Sequence, residues 1–178
     1  MNKVIIIAGL PGTGKTTLAA ELARRTGLVC IHKDTLKEEM HRALDSSVVD
    51  YNKMIGKLSM ELLYSLAEEQ LGRGVNLIIE APFYYQQDYP HINAWLGKYN
   101  CEIYTIICSI GKEERTRRKT ERSRDAAHHP HESGNEQAYE QIPGKRLYLQ
   151  TDQPVEPLID RAIGFIFSEK QNRPHHAP

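Results

Sequence analysis

The sequence has no excess of charge of either sign, because its 23 basic and 23 acidic residues cancel. Without an overall basic surface, general binding to nucleic acid is not indicated. No apolar run approaches the roughly 20 residues needed to cross a bilayer, and no signal-peptide pattern precedes the first predicted strand. We therefore expect a soluble, cytoplasmic protein that has no membrane partner.

Cysteine is scarce, with only Cys30, Cys101 and Cys108, an odd number without CxxC spacing. This pattern argues against a disulfide framework and indicates free thiols in a reducing compartment. The 178 residues, 40% of them hydrophobic, suffice for one domain with a sizeable core. Since no repeat or linker divides the chain, we expect one domain over residues 1–170 and a disordered tail over 171–178.

Short apolar runs alternate with segments of helical periodicity along the chain. The predicted strands span residues 3–9, 28–32, 74–81, 101–108 and 145–151. The predicted helices span residues 15–27, 34–44, 51–72 and 88–99, with a last one that begins near Pro154. In the third helix the apolar residues that indicate the period are Met54, Leu58, Leu62 and Leu66. The alternation predicts an α/β fold with a five-stranded parallel sheet and helices on both faces.

The stretch "IAGLPGTGKT" between the first strand and the first helix fits the pattern G-x-x-x-x-G-K-[ST] of a phosphate-binding loop. Glycines let such a loop curl so that backbone N–H groups point at phosphate oxygens, and the helix start adds its dipole. Lys15 should reach the β- and γ-phosphates as a catalytic residue, and the Thr16 hydroxyl should bind Mg²⁺. The sequence therefore predicts a nucleoside triphosphate site, whose binding residues are Gly9, Leu10, Pro11, Gly12, Thr13, Gly14, Lys15, Thr16 and Thr17.

A basic segment follows the fourth strand and favours a kinase among the classes of P-loop protein. Its basic residues fall on one face of a helix, namely Arg115, Arg118, Lys119 and Arg122. Phosphoryl transfer needs positive charge and exclusion of water, and a mobile lid over about 111–138 would supply both. The alternative is a solvated helix whose glutamates pair with these cations. The base-reading N-K-x-D motif of a GTPase is missing.

Two carboxylates stand at the ends of predicted strands, where ligands of such sheets gather. Asp34 follows the second strand, as a functional group or as the N-cap of the next helix. Glu80 ends the third strand, where it could orient Mg²⁺ through water or pair with a nearby cation.

The loop, together with "NLIIEAPF", "RRKTER" and "LYLQTDQP" in this order, resembles the P-loop kinases grouped as AAA-domain ATP-dependent kinases. That group is similar to the kinase domain of polynucleotide kinase, to zeta toxins and to chloramphenicol phosphotransferase. The resemblance covers about residues 3–168 and implies the strand order 2-3-1-4-5. It also implies ATP and Mg²⁺ as cofactors and transfer of the γ-phosphoryl group to a hydroxyl of a small molecule or nucleotide end.

The resemblance carries over to particular residues. By it, Asp34 matches the aspartate that takes the proton from an acceptor hydroxyl, while Arg118 and Arg122 match the R-x-x-x-R of the lid. Asp152, Gln153 and Pro154 match the segment that borders the adenine, through backbone contacts. Glu80 departs from the family pattern, since several relatives carry aspartate there.

The acceptor is open at this point. Phe83, Tyr84 and Tyr85 form either an aromatic wall for a base, an antibiotic ring or a sugar, or ordinary packing under the lid. His128, His129 and His131 lie in a short loop with proline, which disfavours a zinc site. Nucleic acid is expected as a partner only through a 5′-hydroxyl acceptor.

Two other functions remain as alternatives. A nucleoside monophosphate kinase would need extra arginines at the acceptor, and the stretch that follows Asp34 offers only Arg42 and Arg73. A nucleotide-binding regulatory or toxin-like module would have no acceptor.

Overall fold

A computed structural model describes residues 1–44, 51–122 and 136–168. The strands are β1 Asn2–Gly9, β2 Val29–His32, β3 Leu77–Glu80, β4 Cys101–Ser109 and β5 Lys145–Gln150. The helices are α1 Lys15–Thr26, α2 Lys33–Ala43, α3 Tyr51–Gly72, α4 Tyr89–Lys98, α5 Lys112–Arg122 and α6 Val155–Phe167. Short 3₁₀ segments cover Gln86–Asp88 and Glu136–Gln141.

The five strands form one parallel sheet in the order β2-β3-β1-β4-β5, as predicted. In the register, Ile7 faces Glu80 on one side of β1, and Gly9 faces Cys108 on the other. Because parallel strands end at the same edge, the residues that follow β1, β2, β3 and β5 meet there. The α/β fold class and the strand order are thus confirmed.

Side chains of β1 alternate between two apolar clusters, one on each face of the sheet. Val4 and Ile6 pack with residues of α3 and α4, including the fully buried Trp95. Ile5 and Ile7 pack with residues of α1 and α6. A strand covered on both faces reads as a continuous apolar run, which is why "VIII" predicted it without any alternation.

The apolar stripe that indicated α3 is not the face that α3 buries. Met54, Leu58 and Leu62 are exposed by 39%, 42% and 39%, whereas Ile55 and Leu63 are fully buried. Helix α3 is apolar around most of its circumference. The period of its apolar residues therefore predicts a helix but does not identify which side of it is buried. Packing against α2 and β3 selects that side.

The prediction that Asp34 is an N-cap is wrong. Helix α2 begins at Lys33, and His32, with extended backbone angles, stands at the N-cap position without a side-chain cap bond. Asp34 lies in the first turn instead. A carboxylate there is favoured by the helix dipole.

Some predicted features lie outside the described residues. These are the tail 171–178, residues 123–135 of the lid with His128, His129 and His131, and the side chains of Lys119 and Arg122. Within the described ranges, each helix is too short or too polar to span a bilayer.

Candidate active site

The loop between β1 and α1 is shaped by its glycines. Gly9 has φ 147°, and a Cβ on it would lie 2.5 Å from the carbonyl oxygen of Cys108. Gly14, just before α1, also has a positive φ of 77°. The Thr13 hydroxyl donates to the Leu10 carbonyl oxygen at 2.8 Å, which closes the loop on itself. The result is a curled backbone at a helix N-terminus, the arrangement that binds phosphate.

Glu80 lies between two cationic side chains beneath this loop. Its Oε1 is 3.7 Å from the Lys15 Nζ, and its Oε2 is 3.3 Å from the His32 Nδ1. The Lys15 and Glu80 side chains are exposed by only 7% and 1%. Hydrogen bonds with Cys30 and then with Glu80 raise the pKa of His32 to about 10. A charged His32 therefore helps to hold the buried carboxylate, a role that no sequence signal revealed.

The donor set near the loop fits a Mg²⁺ ion shared with phosphates. Within residues 1–44, 51–122 and 136–168, no group of three or more acidic, histidine or cysteine side chains could hold a metal alone. Mg²⁺ in kinases uses few protein oxygens, with phosphates and waters completing the octahedron. The buried Glu80 carboxylate and the half-buried Thr16 at the start of α1 match that mode.

Helix α5 brings one arginine against the loop. The Nη1 atom of Arg118 is 3.6 Å from the position that a Cβ on Gly14 would take. Its Nε donates to Glu114 at 2.7 Å. Hydrogen bonds from Arg117 and Arg118 lower the pKa of Glu114 to about 2. Glu114 therefore stays charged and orients Arg118, while Arg122 ends the same helix.

The residue after β5 also contacts the loop. Thr151 is 9% exposed, and its hydroxyl donates to the Thr13 carbonyl oxygen. The same hydroxyl is 3.0 Å from the Ser109 carbonyl oxygen. The exposed residues Asp152, Gln153 and Pro154 follow directly. The sequence shows a hydroxyl residue at the end of the last predicted strand, but only the fold shows that this residue contacts the loop.

Asp34 lies in the first turn of α2, directly after β2. Its side chain is 37% exposed, and Oδ1 accepts a hydrogen bond from the Lys33 Nζ at 3.3 Å. One helical turn further on, Lys37 is only 9% exposed, and burial lowers its pKa. Burial chiefly raises the pKa of Tyr84, and the charge of Asp34 adds to this rise. Asp34 therefore lies near the segment that follows β3.

The aromatic residues after β3 have different environments. Phe83 is fully buried with a positive φ of 50°, so it packs in the core and forms no open wall. Tyr84 is 8% exposed and Tyr85 is 47% exposed, with ring centroids 4.4 Å apart. A positive φ at a bulky residue is strained and persists only where surrounding structure holds it. Of the predicted wall, Tyr85 is the member that faces solvent.

A buried carboxylate follows these tyrosines. Asp88 is 2% exposed and accepts a hydrogen bond from the Tyr64 hydroxyl at 2.6 Å. Its Oδ2 and the hydroxyl of Tyr89 are buried without a hydrogen-bond partner in the described structure. Burial raises the pKa of Asp88. Nothing in the local sequence distinguishes this aspartate from a surface residue.

The arginines considered for a phosphate acceptor lie on the surface. Arg42 pairs with Glu39 and has a side chain that is 68% exposed. Arg73 pairs with Glu69 at 2.7 Å and is 65% exposed. Both ion pairs are of the exposed helical kind, which contribute little.

The sequence of this chain is similar to a known protein family and to several curated proteins. The model of a family described as an AAA domain matches residues 4–141. An adenylate kinase of Thermoplasma volcanium is 32% identical over 112 residues, which is 57% of this chain and 59% of that protein. A cytidylate kinase of Pyrobaculum islandicum is 29% identical, over 65% of this chain and 58% of that protein. The chain spans less than two thirds of the length of these curated relatives.

Solved structures share the fold. A protein of Chloroflexus aurantiacus matches with a TM-score of 0.76 and 24% identity, over 92% of this chain and 98% of that one. The APS kinase of Mycobacterium tuberculosis, in complex with AMPPNP and APS, matches with a TM-score of 0.61 and 16% identity, over 92% and 96% of the two chains. These likenesses, at 24% and 16% identity, show a shared fold. Since the family model covers most of the chain, the protein belongs to this AAA-domain family.

Proposed function

We propose that this protein is a cytoplasmic kinase that transfers the γ-phosphoryl group of ATP to a hydroxyl of a small molecule or nucleotide end. We also propose that residues 1–170 form one kinase domain, with a lid over about 111–138. The observation that carries the proposal is the meeting of Lys15, Glu80 and Arg118 at one phosphate-binding loop. Fixed positive charge around a transferring phosphoryl group is what this reaction requires.

The donor nucleotide would be held mainly by backbone. Residues 9–17 would bind the phosphates, with Lys15 neutralising charge on the β- and γ-phosphates. Asp152, Gln153 and Pro154, which follow β5, would border the adenine. Arg118, and Arg122 at the end of the same helix, would meet the charge that develops during transfer.

Mg²⁺ would be held by the Thr16 hydroxyl and the Glu80 carboxylate, directly or through water. When bound there, Mg²⁺ would supply positive charge that offsets the charge of the phosphates. The Lys15 Nζ and His32 Nδ1 atoms, 3.7 and 3.3 Å from the Glu80 carboxylate, would hold it in position for this role.

Asp34 would take the proton of the acceptor. In the transfer, the acceptor oxygen forms a bond to the γ-phosphorus, and the bond from that phosphorus to the β,γ-bridging oxygen breaks to release ADP. The acceptor proton passes to the Asp34 carboxylate. Its 37% exposure supports this role, because a base must be reachable by an incoming acceptor.

A second candidate is transfer to a phosphate, as in a nucleoside monophosphate kinase. The specific observation in its favour is Lys37, a cation with 9% exposure one turn from Asp34. Such a cation could face an anionic acceptor, and the curated relatives are named adenylate kinase and cytidylate kinase. Against it, Arg42 and Arg73 are exposed in surface ion pairs.

The two candidates are separated by the chemistry of the product. The full chain is incubated with Mg²⁺ and γ-labelled ATP against sugars, nucleosides, aminoglycosides, chloramphenicol and 5′-hydroxyl oligonucleotides, and in parallel against AMP and CMP. Label recovered in a phosphate monoester of a hydroxyl acceptor supports the first proposal. Label found only in ADP or CDP formed from the monophosphates contradicts it and supports the second.

A further inference from the structure

A buried threonine connects the end of β5 to the phosphate-binding loop. Thr151 is 9% exposed and stands directly before the segment 152–154 proposed to border adenine. Its backbone N–H donates to the Ser109 carbonyl oxygen at 2.8 Å, which extends the β4–β5 pairing by one step. This backbone bond fixes the place of the threonine independently of its side chain.

The Thr151 hydroxyl reaches into the loop itself. It donates to the carbonyl oxygen of Thr13, and it lies 3.0 Å from that of Ser109. The Thr151 Cβ and Oγ1 atoms lie 3.8 and 3.9 Å from the position that a Cβ on Gly14 would take. The side chain thus packs against the peptide that joins Thr13 to Gly14.

The bond to Thr13 determines where the Gly14 N–H points. A trans peptide is planar, with its C=O and N–H groups directed to opposite sides. When the Thr13 carbonyl is held toward Thr151, the Gly14 N–H is held away from Thr151. Gly14 itself has a φ of 77°, which permits rotation of this peptide if the bond is lost.

We propose that Thr151 is a positioning residue that orients the Thr13–Gly14 peptide so that the Gly14 N–H serves the bound phosphates. The inference rests on the proposed nucleotide site in the loop. Thr151 acts through the peptide and needs no contact with ATP. It also makes the loop depend on the end of β5, so the elements that hold the base and the phosphates are mechanically linked.

The test compares the substitution Thr151→Val with a matched control. Valine keeps the shape of threonine and removes the hydroxyl, which leaves the Thr13 carbonyl without its donor. Thr105 in β4 is also buried, and its hydroxyl has no hydrogen-bond partner in the described structure. Thr105→Val therefore makes the same chemical change away from the loop. Thr151→Ser retains the hydroxyl, and Thr151→Ala replaces the valine variant if that variant does not fold.

Calorimetry on the full chain with ADP and with adenosine gives the decisive readout. Thr151→Val should bind ADP about 10-fold more weakly, the effect of one lost hydrogen bond to the site, with the affinity for adenosine unchanged. Thr151→Ser and Thr105→Val should bind both ligands as the wild type does. The ¹⁵N–¹H resonance of Gly14 should shift in Thr151→Val without ligand and stay in place in Thr105→Val.

The outcomes separate this inference from the proposed function. Equal loss of ADP and adenosine affinity, or ADP binding within twofold of wild type in a folded Thr151→Val, overturns the role of Thr151. Wild-type ADP binding without transfer to any acceptor contradicts the proposed kinase reaction and leaves the inference standing. A wild-type chain that does not bind ADP contradicts both.

Discussion

The two sides of the candidate site are built differently. The proposed donor side, around the loop from Gly9 to Lys15, is mostly backbone. The Lys15 amine and the Thr13 carbonyl have partners in Glu80 and Thr151, and Arg118 lies beside Gly14. The proposed acceptor side consists of side chains from α2 and the segment after β3. There, the Asp88 Oδ2 is buried without a hydrogen-bond partner in the described structure.

This difference indicates how the two sides recognise their ligands. In the proposed function, phosphate binding would be preorganised, because the loop backbone and the Lys15 charge are already held by other groups of the protein. In the proposed function, acceptor recognition would rest on a few side chains around Asp34 and Tyr85. A small change there would alter specificity without disturbing the loop.

The largest effect is expected at the donor side, from Lys15→Ala. Loss of the lysine removes the charge that meets the β- and γ-phosphates, so the turnover of ATP should fall about 10³-fold or more. It also leaves the buried Glu80 without one of its cations, at a cost of about 3 kcal/mol in the free energy of unfolding. Steady-state kinetics and chemical denaturation measure the two effects.

A double variant separates the loss of activity from the loss of stability. Lys15→Met with Glu80→Gln removes both charges, so stability should recover while activity stays lost. Lys112→Ala, an exposed residue at the start of α5, is the control for loss of a positive charge. Near-normal turnover in Lys15→Ala would show that the loop is no phosphate site.

The next effect is expected at the acceptor side, from Asp34→Asn. The amide cannot accept the acceptor's proton, so phosphoryl transfer should fall about 10²-fold while the affinity for ATP is kept. Because Asp34 lies in the first turn of α2 and does not cap it, loss of its charge should change stability by no more than about 1 kcal/mol. Glu39→Gln removes an exposed charge on the same helix and should change neither phosphoryl transfer nor stability. Wild-type transfer in Asp34→Asn would favour the phosphate acceptor.

A smaller effect distinguishes two neighbouring arginines of α5. Arg117 and Arg118 both donate to Glu114, but Arg118 also lies beside Gly14 while the Arg117 side chain is 59% exposed. Arg118→Ala should lower kcat roughly 10-fold, with a lesser change in the KM for ATP, because its charge acts during transfer. Arg117→Ala should leave kcat near that of the wild type. Equal values of kcat and KM in the two variants would show that α5 is only a solvated helix.

The smallest effect concerns stability and pH at Asp88. Burial raises its folded-state pKa, so the folded chain holds the proton more tightly than the unfolded chain. Its favourable contribution is complete below the ordinary carboxyl pKa of 3.8 and is lost as the pH rises through the higher folded value. Asp88→Asn keeps an acceptor for the Tyr64 hydroxyl and removes this dependence. It should raise the melting temperature at pH 7 by a few degrees.

Thermal denaturation from pH 4 to 8 measures this change, and Tyr64→Phe shows how far the hydrogen bond contributes. A melting temperature of Asp88→Asn below that of wild type at pH 7 would mean that the Asp88 charge is compensated. The acceptor side would then be as fully paired as the donor side.

The sequence by itself determined the fold class, the strand order through its family resemblance, and the position of the glycine-rich loop between β1 and α1. Buried parallel strands are continuous apolar runs, and a phosphate loop needs glycine, lysine and a hydroxyl residue at fixed local spacing. Both features can therefore be recognised within a short stretch of the sequence. Asp34 and Glu80 were predicted as site residues because they stand at the ends of strands, and the ends of parallel strands meet at one edge of the sheet.

Only the tertiary structure decided which groups stand opposite one another. The contacts of Glu80 with His32, of Thr151 with Thr13, and of Arg118 with the loop join segments far apart in the chain. The buried side of α3 and the burial of Phe83 were likewise decided by packing. Helical period and residue type describe what a side chain can do locally, whereas its partners depend on where several elements come together.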